Sequence, residues 1–525
     1  MSAADEHAQW KPSGNPWAIA VVVTLAAFME ILDTTIVNVA LPHIAGSLSA
    51  SYDEATWALT SYLVANGIVL TISGWLGSVI GRKRYFMICI SMFTVCSFLC
   101  GIADSLPQLV IFRLLQGFFG GGLQPNQQSI ILDTFPPEKR GAAFGVTAIA
   151  TIVAPVLGPT LGGVITDTYN WRWIFLANIP VGIIATFLVF VLVEDPPWLQ
   201  KASGKHIDFI GLGFITLGLG CLQIMLDRGE DADWFSSSFI RIMAALSVLG
   251  VFEGIVWLRI AKRPIVDLDV FKDKNFAMGS ICISAVGFVL YSGAVLIPQF
   301  AQTVVGYTAT WAGLVLSPGG LAIIVLIPIV GVLMRFVQTR LIIAAGFFIM
   351  GSAFLYSSHL SPEIDFATLV KMRAAQTMGL AFLFVPISTI AYITLPRRLN
   401  GDATALFTMF RNVSGSIGIS LSTAMITQRT QTHQAGLAKW ATPFHQPFDD
   451  LIATYQRSII AMGHAASAAH DVAVGKVYQA FRSQAAILGY SDVFLYLGVI
   501  AFCVVPFCLF LTNKKAGGGS PGAVH

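Results

Sequence analysis

The sequence predicts an all-α membrane protein of fourteen transmembrane helices, arranged as two six-helix bundles joined by a two-helix insert. Three observations lead to this class: the composition, a series of long apolar segments, and a similarity between the first and second parts of the chain. Of the 525 residues, 55% are hydrophobic and only 11% are charged. Soluble domains carry about 25% charged residues, so lipid is the expected solvent for most of this chain.

Charge and cysteine content exclude several classes of function. The net charge is only +3, with no basic tail or patch that would suit a nucleic acid. All 7 cysteines lie in apolar segments without paired spacing, which predicts packing residues rather than disulfides or metal ligands. The first apolar segment has no cleavage site after it, so we expect it to remain as a membrane helix rather than a removed signal peptide.

Fourteen apolar segments are long enough to cross a bilayer, for which about 20 residues are needed. The predicted spans are residues 17–39, 55–75, 85–104, 107–127, 142–166, 173–193, 207–226, 238–259, 276–299, 310–334, 341–359, 366–394, 403–427 and 489–512. The predicted domains are a tail (1–16), a first bundle (17–195), the insert (207–260), a second bundle (275–512, with an extracytoplasmic loop 428–488) and a tail (513–525).

The positions of Lys and Arg predict the orientation. If the fourteen helices are threaded alternately, the basic clusters fall on one side, whereas the opposite short loops 42–54, 104–106 and 300–309 contain no Lys or Arg. Cytoplasmic loops are enriched in these residues, so both termini are expected in the cytoplasm. The clusters are Arg82-Lys83-Arg84, Lys139-Arg140, Lys201 with Lys205, Arg259 to Lys274, Arg335 with Arg340, Arg397-Arg398 and Lys514-Lys515.

An internal repeat supports the division into two bundles. The fourth predicted helix contains Arg113-x-x-Gln116 and the twelfth contains Arg373-x-x-Gln376. These helices become equivalent when the seventh and eighth are set aside as an insert. Such repeats are typical of secondary transporters, whose substrate sites lie between the halves near the midplane.

Glu30 and Asp33 in the first helix are the candidate proton carriers. A spacing of three residues places both carboxylates on one helix face. Two carboxylates this close in an apolar setting disfavour double ionisation, which suits a group that takes up and releases a proton. The structural alternative is that Asp33 only bonds to a neighbouring helix while Glu30 lies near the rim.

Arg113 and Gln116 in the fourth helix are the candidate partners of these acids. A buried guanidinium needs an anion or several carbonyl groups, and the first-helix carboxylates can supply the anion. A purely structural tie between helices is the alternative.

In the second bundle, Arg373 is predicted near the outer end of its helix, where its side chain can reach the interface. Arg411 is predicted close to the cytoplasmic face.

Two further segments are candidates for conformational change. The fifth helix is expected to be kinked by proline and tightly packed through glycine, although a bend without a gating role is the alternative. The loop after the second helix is expected to latch a gate, or simply to be basic because it is cytoplasmic. The candidate residues are Pro155, Gly158, Pro159, Gly162 and Gly163 in the helix, and Gly74, Arg82 and Lys83 at the loop.

Several of these motifs resemble those of the fourteen-helix drug:proton antiporters of the major facilitator superfamily. The segment from Leu32 to Pro42 is similar to their first-helix signature, the Arg113 segment to their proton-coupling motif, and Gly158-Pro159-x-x-Gly162-Gly163 to their antiporter motif. The resemblance implies the major facilitator fold, with Asp33 and Glu30 as protonation and cation-sensing residues and Arg113 as the coupling residue. It departs at Ser78, where the family's loop motif usually has an aspartate.

The expected function is proton-coupled efflux of hydrophobic and amphipathic compounds, driven by the proton gradient without a cofactor. The resemblance also implies a periplasmic adaptor and an outer-membrane channel as partners, for which the loop 428–488 is either a docking surface or a separate small subdomain. The alternative is export of one endogenous metabolite, such as a siderophore, fatty acid or antibiotic. An enzyme or receptor is disfavoured, because His43, His206 and His359 are single and near the interfaces rather than part of a nucleophile–base or metal site. ATP-driven transport is disfavoured as well, because the sequence has no Walker motif.

Overall fold

The structure of the protein is a computed structural model that describes residues 12–196, 208–262, 264–396, 399–441, 446–462 and 465–512. Within these ranges the chain forms helices and no β-strand, which confirms the predicted all-α class. Most of both predicted tails lies outside these ranges, and so do the basic residues Lys201, Lys205, Arg397, Arg398, Lys514 and Lys515.

Sixteen long helices account for the described chain, together with short helices at Tyr52–Ala55 and Trp173–Leu176. In chain order they are α1 (Pro16–Ser47), α2 (Trp57–Ile80), α3 (Arg82–Gly101), α4 (Leu106–Gly120), α5 (Leu123–Thr134), α6 (Pro137–Thr168), α7 (Asn178–Leu192), α8 (Phe209–Arg228), α9 (Ser238–Ile260), α10 (Lys274–Thr303), α11 (Ala309–Leu333), α12 (Thr339–Ser357), α13 (Phe366–Ala391), α14 (Asn400–Ala438), α15 (Gln446–Ala461) and α16 (Ala466–Cys508).

Eleven of the described helices are long and apolar enough to cross a membrane, or twelve if the bent helix α6 is counted as one span. This establishes a multi-pass membrane protein. The predicted spans 107–127 and 403–427 coincide with helices that do not reach this standard. The first is divided into α4 and α5 at Gly121-Gly122, and the second lies in the more polar α14. The total of fourteen spans therefore stays a prediction.

The predicted loop 428–488 is mostly helical. Helix α14 continues to Ala438 and α16 already begins at Ala466, so both are longer than their apolar segments. The extensions are tied together by an ion pair between Arg429 Nε and Asp492 Oδ2, 2.6 Å apart. Helix α15 packs against α16 through an apolar cluster of Ile459, Ala469 and Ala473. Ala and Gln, which are good helix formers, are frequent in this segment, which explains why polar chain continues the helices.

The helices pack as a first half (α1–α7) and a second half (α10–α14 with α16). Helix α1 lies against α6, α2 against α4, α10 against α14, and α13 against both α11 and α12. Helices α8 and α9 pair with each other, and α8 rests on α2. The halves meet where α6 touches α11 and where α2 and α5 touch α14. We call the end of the bundle at which α2 passes into α3 the basic end, because Arg82, Lys83 and Arg84 lie there.

Glycines bring the helices of the first half into close contact. A Cβ atom at Gly117 in α4 would lie 2.2 Å from the carbonyl oxygen of Tyr62 in α2. One at Gly158 in α6 would lie 2.1 Å from the Thr35 hydroxyl oxygen in α1. Small residues allow this approach in membrane bundles, and the approach of α4 to α2 places Arg113 deep inside the bundle.

Gly117→Ala is expected to destabilise the protein, because the added methyl group forces α4 away from α2. Overpacking of this kind costs about 1–3 kcal/mol, which a lowered midpoint of thermal unfolding in detergent will report. Gly67→Ala is the matched control, since a Cβ atom there meets nothing within 4 Å. Equal midpoints for the two variants would contradict the packing argument.

Candidate functional site

Asp33 and Arg113 form a buried ion pair in the middle of the first half. Arg113 Nη1 lies 2.6 Å from Asp33 Oδ2, and both side chains are 0% exposed. Asp33 is on α1 and Arg113 on α4, so the pair joins two helices that are distant in sequence. Of the two acids proposed from the sequence as partners of Arg113, the structure places Asp33 in direct contact and Glu30 in a separate network.

Two amide side chains complete the hydrogen bonding of Asp33. Gln116 Nε2 donates to Asp33 Oδ1 at 3.1 Å, and its Oε1 accepts from Arg113 Nη1 at 2.8 Å. Asn178 Nδ2 in α7 donates to the same Asp33 oxygen at 2.8 Å and to Ser97 Oγ in α3 at 3.1 Å. The carboxylate therefore accepts three hydrogen bonds from three side chains, which holds its orientation.

The guanidinium of Arg113 is fixed on its other side by α2. Its Nε donates to the carbonyl oxygen of Ala58 at 3.2 Å. Its Cζ lies 4.1 Å from the centre of the Tyr62 ring, a geometry in which the ring face attracts the cation. The ion pair thus connects α1, α2, α4 and α7 through named contacts.

Glu30 occupies a second polar network, one helical turn from Asp33. Its Oε1 accepts from the Tyr62 hydroxyl at 3.1 Å and from Asn66 Nδ2 at 2.9 Å. Its Oε2 accepts from Gln124 Nε2 at 2.5 Å. Glu30 is only 2% exposed, so it does not lie at the rim as the structural alternative supposed. No cation directly contacts it among the described residues.

Gln124 connects this network to the second half. Its Oε1 accepts a short hydrogen bond from Arg411 Nη2 in α14. Arg411 is 0% exposed and lies between the halves, and its depth relative to the cytoplasmic face stays a prediction. A continuous chain of contacts runs from the carboxylate of Glu30 through one amide to the guanidinium of Arg411.

The loop residues proposed as a latch lie at the contact between the halves. A Cβ atom at Gly74 would lie 2.6 Å from the backbone of Gly401 at the start of α14. Arg82 forms an ion pair with Asp133 and donates to the Ser129 carbonyl oxygen at 3.1 Å. Asp133 at the end of α5 thus supplies an acid for Arg82 in a chain that has Ser78 at the family's usual aspartate position.

Lys83 faces its own half instead. Its backbone N–H donates to Asp195 Oδ1 at 2.8 Å, and its Nζ donates to the Phe190 carbonyl oxygen at 2.7 Å. Next to it, hydrogen bonds from the side chain and the backbone N–H of Ser13 hold the pKa of Glu194 below its ordinary value. These contacts tie Lys83 to the end of α7 and the residues that follow it.

The proline and glycine residues proposed for the fifth span produce a bent helix α6. Its two parts, Lys139–Pro155 and Leu157–Thr168, differ in direction by 43°, so that Pro155 lies at the bend and Pro159 within the second part. Gly158 and Gly162 face Thr35 and Ile36 of α1, and Gly163 lies near Thr310 of α11. Helix α6 therefore contacts both halves beside the Asp33 helix. Its role in gating stays a prediction.

The repeat in the second half has no counterpart of Asp33 among the described residues. Arg373 is 1% exposed, so the prediction that it reaches the membrane interface is wrong. Its Nη1 lies 3.4 Å from Gln376 Oε1, as in the Arg113–Gln116 pair, but no described carboxylate pairs with it. A Cβ atom at Gly293 of α10 would lie 3.1 Å from this Nη1. Gly293 therefore lies next to Arg373 in the second half, as Asp33 of α1 lies next to Arg113 in the first half.

Sequence reasoning missed Gln124 and Asn178, and it did not predict the contact of Arg411 with Gln124. One signal was available, because a run of polar side chains, Gln124 with Asn126 to Ser129, interrupts a predicted span. Polar residues at membrane depth are expensive and functional by default. Asn178 carried no comparable signal, since a single Asn at the start of an apolar helix is also an ordinary helix-end residue.

Removing one member of the buried ion pair is expected to cost more stability than removing both. Asp33→Asn alone leaves an unpaired guanidinium, which costs about 3–5 kcal/mol, and the double variant with Arg113→Gln restores part of this. Thermal unfolding of the four proteins in a double-mutant cycle measures the coupling. Asp104→Asn is the control, because Asp104 is 92% exposed and 3.9 Å from Arg172, and should change stability by less than about 1 kcal/mol.

Comparison with known proteins identifies the family. The sequence profile of the Major Facilitator Superfamily matches residues 23–419. The multidrug export protein EmrB of Escherichia coli (strain K12) is 35% identical over 515 residues, which cover 96% of this chain and 97% of that protein. EmrB of Haemophilus influenzae is 38% identical over 429 residues, which cover 81% of this chain and 84% of that protein.

A solved structure agrees at the level of the fold. The human organic anion transporter MFSD10 superposes with a TM-score of 0.57 at 13% identity, covering 93% of this chain and 99% of that one. Such low identity supports the fold alone, whereas the match of the family profile extends over most of the chain. The predicted family is confirmed, and this chain belongs to the major facilitator superfamily.

Proposed function

We propose that the protein is a proton-coupled multidrug efflux antiporter, which exports hydrophobic and amphipathic compounds by alternating access. The observation that carries the proposal is the buried Asp33–Arg113 pair with Glu30 one turn away, inside a membrane bundle. Ionisable groups at membrane depth are costly and mark ion or substrate pathways. The two EmrB relatives named above are multidrug export proteins, which supports drugs as the substrates.

Protonation of Asp33 is the coupling step in this proposal. A neutral Asp33 no longer attracts the guanidinium of Arg113, so the tie between α1 and α4 weakens. Arg113 then turns to carbonyl and ring partners, and Gln116 keeps a hydrogen bond to either protonation state of the acid. A cationic or polar group of a compound competes with the proton for the acids, so that binding of one releases the other.

The energy comes from the proton gradient, without a cofactor or a chemical reaction. Each charge that crosses the membrane gains about 2.3 kcal/mol per 100 mV. The protein is therefore a transporter and not an enzyme in this proposal. Arg82 pairs with Asp133, which accepts a hydrogen bond from Asn400 of the second half, and Gly74 packs against Gly401. These contacts at the basic end hold the halves together in one state, and the bent helix α6 rocks against α1 when the halves separate.

We further propose a bacterial inner-membrane location with both termini in the cytoplasm, which makes the basic end cytoplasmic. The extensions of α14 and α16 with α15 then project into the periplasm. There they meet an EmrA-like periplasmic adaptor, which connects the transporter to a TolC-like outer-membrane channel. Helix α15 exposes Leu451 (43%) and Ile460 (42%), apolar side chains that suit a protein contact.

Transport in proteoliposomes tests the antiport. With an imposed pH gradient, the purified protein should move lipophilic compounds against their concentration gradient, each accompanied by proton flux in the opposite direction. Asp33→Asn should reduce gradient-driven transport by more than about tenfold, because one coupling interaction of 1.4 kcal/mol corresponds to that factor. Asp104→Asn, an exposed acid of the same type, is the control.

Retention of full proton-driven transport by Asp33→Asn would refute the coupling role of this acid. Transport of a single compound out of a chemically broad panel would favour the dedicated metabolite exporter instead. A drug-susceptibility screen of a deletion strain, run together with metabolite profiling, makes the same distinction in cells.

Docking of the extension predicts a separation of two phenotypes. Leu451→Glu combined with Ile460→Glu should leave proteoliposome transport unchanged, since α15 lies away from the acids. The same variant should lower drug resistance of cells with two membranes, because charge on the contact surface weakens adaptor binding. Unchanged resistance would indicate that this face of α15 is not the docking surface.

A further inference from the structure

Helix α5 faces the second half with a ladder of polar contacts. Three of them run antiparallel along α14: Gln124 to Arg411, Ser129 Oγ to Thr404 Oγ1 at 2.6 Å, and Asn400 to Asp133 at 3.5 Å. A fourth joins Tyr392 Oη to Gln128 Oε1 at 3.3 Å. We call this set the α5–α14 ladder. The contact between Asn400 and Asp133 lies beside Arg82 at the basic end. The contact between Gln124 and Arg411 is the innermost one, and Gln124 also reaches Glu30.

The two oxygens of Glu30 are not equivalent. Oε1 accepts two hydrogen bonds, from Tyr62 and Asn66, whereas Oε2 accepts one, from Gln124. A proton that binds to Glu30 therefore displaces the fewest donors at Oε2, the oxygen that faces Gln124. Protonation there replaces an acceptor by an O–H donor.

The side-chain amide of Gln124 can respond to protonation of Glu30 by exchanging the positions of its oxygen and its NH₂ group. The side chain of Gln124 has one acceptor and one donor group, and at present the donor faces Glu30 while the acceptor faces Arg411. When Glu30 Oε2 becomes a donor, the amide must turn its oxygen toward the acid. Its NH₂ group then faces the guanidinium, which has only donors, and the innermost contact of the ladder is lost.

We propose that Gln124 is a positioning residue that converts protonation of Glu30 into release of Arg411, and so opens the α5–α14 ladder. The inference rests on the proposed proton coupling and adds the route by which one proton reaches the contact between the halves. The direct tie of Asp33 to Arg113 stays within the first half, whereas the Glu30 chain crosses to the second.

Other charged and titratable groups surround Glu30. Tyr62 from α2 and Tyr291 from α10 face it, and Asp33 on its own helix interacts with it electrostatically. Arg113 from α4 is neutralised by Asp33. Arg411 is the cation to which hydrogen bonds through Gln124 connect Glu30. Loss of the charge on Glu30 and loss of the Gln124 acceptor act on Arg411 in the same direction.

The distance between the halves at the basic end is the measurement that tests this route. Spin labels are placed on Arg84→Cys and Phe336→Cys, at exposed positions of the first and second halves, with Cys503→Ser because the native Cys503 is exposed. Between about pH 8 and about pH 5, across which a carboxyl group can titrate, we expect the long-distance population to rise about tenfold relative to the short one.

Gln124→Met should abolish this pH dependence, because thioether and amide are similar in size but the thioether offers no donor to Glu30. Glu30→Gln should show the long distance at both pH values, since it carries no charge. Arg411→Lys should retain part of the shift, because it keeps the charge. Tyr392→Phe is the matched control, as it removes a ladder contact that is not connected to Glu30, and it should keep the full shift.

A full pH shift in Gln124→Met would overturn the inference, and so would the absence of a shift in the parent protein. A shift in Glu30→Gln equal to that of the parent would overturn it as well, even where Gln124→Met does not fold. Proton-driven transport by the parent protein is measured separately in proteoliposomes. Its presence without the pH shift refutes the route through Gln124 alone, and its absence refutes the proposed antiport.

Discussion

The ion pair between Asp33 and Arg113 constrains the arrangement of the whole first half. Burying a charge in an apolar interior costs several kcal/mol unless a partner and hydrogen bonds compensate it. Both side chains are fully buried, so the register of α1 against α4 must bring them together. Gln116, Asn178 and the Ala58 carbonyl group supply further hydrogen bonds to the pair. Four helices are oriented by this one requirement.

The second half contains an arginine–glutamine pair like that of the first half, but without a carboxylate such as Asp33 beside it among the described residues. Arg373 and Gln376 repeat the spacing of Arg113 and Gln116, and both are buried. Gly293 leaves α10 with no carboxylate beside Arg373. The buried carboxylates Glu30 and Asp33 lie in the first half. Among the contacts of the described residues, hydrogen bonds through Gln124 connect Glu30 to Arg411 of the second half.

The contact between the halves is polar along α5 and close-packed at Gly74. Polar contacts allow two halves to separate at a small cost in free energy, because water can replace each hydrogen bond. A large apolar contact would instead keep the halves together. The ion pair of Arg82 with Asp133 lies where this contact reaches the basic end. It also shows how the basic loop is anchored in a chain with serine at position 78.

The sequence by itself determined the class, the family and the main acids. Apolar segments about 20 residues long in a chain with 11% charge leave few alternatives to membrane helices, and the spacing of Glu30 and Asp33 places them on one face. It also singled out Arg113, because an arginine at membrane depth needs an anion. These inferences depend on local periodicity and on the cost of charge in lipid, which a single chain reveals without any contact map.

Tertiary structure alone decided which side chains meet. The pairing of Arg113 with Asp33 rather than Glu30, the bridge from Glu30 to Arg411, and the burial of Arg373 each depend on helices that are far apart in sequence. Their relative rotation and depth are set by contacts such as Gly117 against Tyr62. The helical continuation of residues 428–488 was missed for a related reason. Hydropathy reports where a helix leaves the lipid, whereas contacts among α14, α15 and α16 determine where it ends.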